Sequence, residues 1–290
     1  MKIIFIHGRA QGGKDPVQLQ RSLENALRTS FAQAGYTWPQ TCKFALPYYG
    51  DTLDQLTDKM LNSTESGGRN RGDALDSDAL DIELSLLYEL AQEHKLLQYL
   101  PEDSEETEAI ERGVLNWEAL HTLLQLFDRT PIGATLVRLI TRDVHVYLKY
   151  KHIVQNVIDA EVLKYFAPGE THVVIGHSLG SVVGYNVLHK LPANTPVSKY
   201  VTIGSPLGIK AVKERLAAPL RMPANVQRWY NAMDERDVVP LFPLDEENFP
   251  ILPAIINKTN VNNISDNHHG AEEYLMDPDV AREVHEALAG

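Results

Sequence analysis

Cysteine is nearly absent from this chain. Its 290 residues include one, Cys42, so no disulfide framework forms within it. A chain of this length buries enough apolar surface to fold without a disulfide or metal staple. Positive charge is also scarce. Lys and Arg number 27 against 39 Asp and Glu, a net charge of −12. Phosphate contacts dominate nucleic-acid affinity, so an acidic chain with no basic block is not expected to bind nucleic acid. Anionic membrane surfaces are disfavoured for the same reason. No apolar run is long enough for a transmembrane segment. The first run, Ile3 to Ile6, is too short for a signal peptide core, and no cleavage site follows it. The expectation is a cytoplasmic protein. No internal repeat is visible, and nothing in the sequence signals an oligomeric state.

What is present alternates between strand and helix patterns. Ile3-Ile4-Phe5-Ile6 reads as a strand buried on both faces. Pro16 suits a first helical turn. Leu19, Leu23, Ala26, Leu27 and Phe31 then recur at helical spacing up to Gly35. A short strand is predicted at Lys43 to Leu46. Further on, strands are predicted at 172–175, 200–203 and 226–231, with helices at 179–190 and 280–288. Parallel strands joined through helices define an α/β sheet. The stretch from 51 to 141 differs. It holds a polar loop at 62–72, a helix over 78–100 with a leucine stripe, and an acidic stretch at 102–111. A helix over 114–127 follows, broken at Pro131-Ile132-Gly133, and a helical pattern resumes to about Phe166. The predicted organisation is a core of residues 1–50 and 142–290 carrying a helical cap or lid insertion at 51–141. The leucines of that insertion line an acyl pocket or simply hold the cap together.

The loop after the first strand, Gly8-Arg9-Ala10-Gln11-Gly12-Gly13-Lys14, fits G-x-x-x-x-G-K. A P-loop needs Ser or Thr next, and Asp15 stands there. A nucleotide-binding reading therefore lacks the hydroxyl at position 15, and the metal-binding carboxylate it also needs at the end of a second strand is not found.

The strongest motif is Gly176-His177-Ser178-Leu179-Gly180. It is a G-x-S-x-G directly after a strand and directly before a helix. A serine on such a sharp turn is lifted above the sheet edge. The next amide, that of Leu179, opens the helix and can face a developing oxyanion. A serine hydroxyl needs a base, and in this arrangement an acid and then a histidine follow it in the chain. Asp234 and Asp237 both qualify as the acid. Asp237 is preferred because Val238-Val239-Pro240 would desolvate it. The alternative is a solvated acidic loop. Asp266-Asn267-His268-His269-Gly270 supplies the base, from either histidine. The alternatives are surface histidines or half of a metal site, but no partner at ligand spacing accompanies them, so neither metal nor cofactor is expected. His7, His177 and His189 come too early in the chain for that role.

These stretches together resemble the α/β-hydrolase superfamily, on the lipase and esterase side. Ile6-His7-Gly8 resembles its His-Gly oxyanion turn, which implies the Arg9 amide as a second oxyanion donor beside Leu179. Thr202-Ile203-Gly204-Ser205-Pro206 and Trp229-Tyr230-Asn231 through Asp237 resemble its next strand end and its acid loop. His269 lies five residues before Tyr274-Leu275, a spacing similar to that of related bacterial hydrolases, and this selects His269 over His268. The resemblance covers 1–50 and about 142–290. The two strands that usually precede the His-Gly strand are not seen, so the sheet is expected to be small and mostly parallel, flanked by helices. The resemblance implies a Ser178-Asp237-His269 triad acting on a small-molecule or lipid ester. A non-catalytic binding protein of the same fold is the alternative.

Overall fold

The computed structural model describes residues 1–9, 11–66, 85–100, 122–123, 126–127, 143–265 and 268–289. Two compact units emerge: Met1–Leu53 with Gln155–Gly290, and Asp54–Val154.

The first unit is α/β. Six strands form one wholly parallel sheet: β1 (Lys2–Ile6), β2 (Lys43–Ala45), β3 (His172–His177), β4 (Val197–Ile203), β5 (Trp229–Ala232) and β6 (Ile256–Lys258), in the order β2-β1-β3-β4-β5-β6. Helices α1 (Pro16–Gln33), α2 (Gly50–Ser66), α3 (Asn156–Leu163), α4 (Leu179–Leu188), α5 (Lys210–Lys213), α6 (Ala271–Met276) and α7 (Pro278–Ala289) complete the labelled elements. The strand order reverses direction between β1 and β3. In open parallel sheets that switch point opens a crevice at the carboxyl ends of the strands.

Alternation along the strands builds the core. Ile3 and Phe5, Val173 and Ile175, Val201 and Ile203, and Tyr230 and Ala232 all join one buried cluster with Leu23, Leu27 and Phe31 of α1 and Val280 and Val284 of α7. Every residue of α4 is buried. The β1–β3 register pairs Ile6 with Gly176, so the loops leaving these two strands start side by side.

A polar row fixes the other half of the sheet. Thr202 Oγ1 donates to Asn231 Oδ1 at 2.8 Å, and Asn231 Nδ2 donates to Asn257 Oδ1 at 2.9 Å. These three residues are direct register partners across β4, β5 and β6. A slip of one residue would turn Asn231 to the opposite face and orphan the row.

Several expectations change. Residues 62–66 of the predicted loop form the last turn of α2, whose buried Leu53, Thr57 and Met60 keep helical spacing; the rest of that loop lies outside the described residues. Of the helix predicted over 78–100, residues 85–93 are helical. Lys95, at φ 55°, then leads into a 3-10 turn at Leu96–Tyr99. The helix predicted over 114–127 is described only at 122–123 and 126–127, which are helical. The acidic stretch and the break at Pro131 lie outside the described residues. The second compact unit ends at Val154. Its end falls at a π-helical turn, Lys151–Gln155, that runs on into α3 with no proline or glycine to mark the boundary. The strand predicted at 226–231 is displaced: Val226 makes a single bridge to Val197, and β5 starts at Trp229. No described helix is long and apolar enough to cross a membrane.

Candidate active site

Ser178 sits between β3 and α4 at φ 55°, ψ −130°, a region that a residue with a Cβ enters only under strain. Neighbours hold it there. Its N–H donates to the Ile203 carbonyl at the end of β4, 3.1 Å away. Its carbonyl accepts from Ser181 Oγ at 2.6 Å, and Ser205 Oγ lies 2.7 Å from that hydroxyl. The Ser181 proton is committed to the Ser178 carbonyl, so Ser205 donates to Ser181. The motif's last glycine is required by close approach: a Cβ on Gly180 would stand 2.1 Å from the Ile6 carbonyl oxygen. The same crowding explains Gly8, where a Cβ would stand 2.8 Å from the Cβ of Ser178. The loop after β1 is thus pressed directly against the serine.

His7 organises that loop. Its Nδ1–H donates to the Gly8 carbonyl at 2.6 Å, and its Nε2 accepts from the Tyr49 amide at 3.1 Å. The Tyr49 hydroxyl donates to the His7 carbonyl, and the two rings stack with centroids 4.0 Å apart. Burial, the largest influence, pulls the imidazole down to about 4, so the ring is neutral, as these two bonds require. In a trans peptide the C=O and N–H point opposite ways, so the bond to the Gly8 carbonyl also fixes the direction of the Arg9 N–H. The Leu179 N–H is the first of α4 and has no partner four residues back within the helix.

Asp237 and His269 meet at the other end of the site. His269 Nδ1 and Asp237 Oδ2 are 2.6 Å apart. The same Oδ2 accepts from the Tyr274 hydroxyl at 2.8 Å, and Oδ1 accepts from the Val239 amide at 3.0 Å. Gly204, next to Ile203, floors this pair: a Cβ there would stand 3.1 Å from the His269 ring and 3.2 Å from Asp237 Oδ2. His177 closes the gap to the serine. Its Nε2–H donates to the His269 carbonyl at 3.0 Å, and the two rings stand 4.6 Å apart. Burial first, then the neighbouring His269, push His177 well below the usual histidine range, so it serves as a neutral donor.

The alternative acid and base are engaged elsewhere. Asp234 pairs with Arg236 at 2.9 Å and accepts from the Asn263 amide at 2.7 Å. Burial works to raise its carboxyl, but the bonds from Arg236 and Asn263 outweigh it and hold the group below the usual range. His268 lies at φ 51° with Nδ1 2.9 Å from the Asn263 carbonyl, and its own carbonyl accepts from Asn263 Nδ2 at 2.6 Å. Asp234 ties the acid loop to Asn263, and His268 braces Asn263 from within its own segment. Asp266 and Asn267 lie outside the described residues.

Among the described residues in and after the glycine loop, several amides are already engaged. Asp15 caps α1, its Oδ1 accepting from the Val17 and Gln18 amides at 2.8 and 3.1 Å. The Gly13 amide donates to Asp51 at 2.7 Å. Carboxylates of the chain already hold donors that a bound phosphate would need.

Sequence reasoning missed the parts played by Tyr49, Ser181, Ser205 and Tyr274. Tyr274 left a trace through its spacing from His269, and Ser205 lay within the stretch that follows β4, but neither contact was readable from the sequence. No known protein family, curated protein or solved structure matches this chain.

Proposed function

We propose that this chain is a serine hydrolase of the α/β-hydrolase fold that cleaves a carboxylic ester. The observation that carries the reading is the part-buried Asp237–His269 hydrogen bond, set at the carboxyl edge of a parallel sheet beside a strained serine turn. In this reading Ser178 Oγ attacks the ester carbonyl carbon while His269 Nε2 takes its proton. Asp237 holds the imidazole in the Nδ1–H tautomer and stabilises the imidazolium. The Leu179 and Arg9 amides receive the oxyanion, and each such donor is worth on the order of 3 kcal/mol. His269 passes the proton to the leaving alcohol. Water, activated by the same histidine, then releases the acid from the acyl-serine and restores the hydroxyl.

The test is labelling with a fluorophosphonate, together with turnover of small neutral esters of graded acyl length. Wild type is labelled and turns over; Ser178→Ala does neither. Equal labelling of both proteins, or full turnover by the alanine variant, would sink the reading and leave a non-catalytic binding protein.

A further inference from the structure

Tyr274 is fully buried, and its hydroxyl sits at a junction. It donates to Asp237 Oδ2 at 2.8 Å, the oxygen that His269 Nδ1 also approaches at 2.6 Å. It accepts from the Asp234 amide at 3.0 Å. With the oxygen occupied by that amide, the single phenol proton is directed at the carboxylate. Helix α6 starts two residues after His269 and brings the phenol back under the histidine loop. Packing alone asks only for a ring, which phenylalanine would supply. Burial, and then the Asp237 carboxylate, push the phenol far above its usual range, so it stays protonated wherever the enzyme works.

We infer that Tyr274 is a positioning residue that sets how strongly Asp237 acts on the catalytic base. The inference rests on the serine-hydrolase reading and deepens it. Two donors share one carboxylate oxygen, so the phenol draws charge from the atom that faces the imidazole. It also fixes the rotation of the carboxyl group together with the Val239 amide. Without the phenol, Oδ2 carries more charge toward His269, and the imidazolium is held more firmly. The base then loses its proton at higher pH. A phenol that only fills and satisfies the core would leave that titration where it was.

The experiment compares kcat/KM against pH for wild type, Tyr274→Phe and a protein with 3,5-difluorotyrosine at 274. In Tyr274→Phe the acid limb moves up by about half a pH unit or more, and the plateau kcat falls about threefold to tenfold. The fluorinated phenol is a stronger donor and moves the limb down. The opposed signs keep the test sharp even if the phenylalanine variant folds poorly, because the fluorinated ring keeps the volume. Superimposable limbs for the folded variants overturn the inference. Ser178→Ala is measured alongside. If it turns over normally, the hydrolase reading itself fails. If it is inactive and the limbs superimpose, only the role of Tyr274 fails.

Discussion

Asp237 and His269, 32 residues apart in the chain, are joined by a 2.6 Å hydrogen bond, while Asp234, three residues before Asp237, is bound to Arg236. Two neighbouring carboxylates therefore have separate duties. Asp237→Asn should lower kcat about 10⁴-fold, because an amide facing Nδ1 favours the wrong tautomer. Asp234→Asn should keep turnover within about threefold and cost about 1–2 kcal/mol of stability. Steady-state kinetics and urea melts of the two variants check this, and the reverse ranking would exchange the roles.

Gly204 has φ 55° and lies against both members of that pair. Gly204→Ala combines backbone strain with a push on the His269 ring. The expected outcome is a loss of about 1–2 kcal/mol in stability and at least a tenfold drop in kcat with little change in KM. A variant that is destabilised but fully active would show that the ring tolerates displacement.

Stability should fall in acid through the buried histidines. The His7 imidazole is depressed to about 4, from about 6.5 in the unfolded chain, so the fold favours its neutral form. Its contribution is complete above about pH 6.5, declines as pH falls toward about 4, and totals about 3 kcal/mol. His177 acts in the same direction. His7→Asn, which keeps a donor near the Gly8 carbonyl, should be less stable at neutral pH but lose less on acidification. Denaturant midpoints measured across that range decide it, and parallel curves would count against His7.

Asp15→Ala should cost about 1 kcal/mol as a lost helix cap and leave ester turnover unchanged. Neither protein should gain thermal stability from ATP or GTP with magnesium. A nucleotide-dependent shift in melting temperature would reopen the phosphate-loop reading.

The elbow was legible because its demands are local: a buried strand, two glycines forced by close approach, and an apolar helix within nine residues. Asp237 was legible in part. The apolar Val238-Val239 pair was expected to shield it, and Val239 in fact also donates its amide. His269 was separated from His268 by its spacing to Tyr274, although the purpose of that tyrosine was not readable from spacing. Strand β6 was not legible. It is three residues long, follows Pro250 and Pro253, and is specified by Asn257 meeting Asn231 across the sheet rather than by alternation. Tyr49 was equally silent, because its partner His7 is 42 residues away.

The backbone of Ser178 has a further consequence. Its dihedral angles suit glycine, and a side chain is kept there at a cost of about 1–3 kcal/mol. Ser178→Gly should therefore melt higher than wild type while losing all turnover. In a lineage released from selection for the reaction, drift toward folding robustness would erase this serine early.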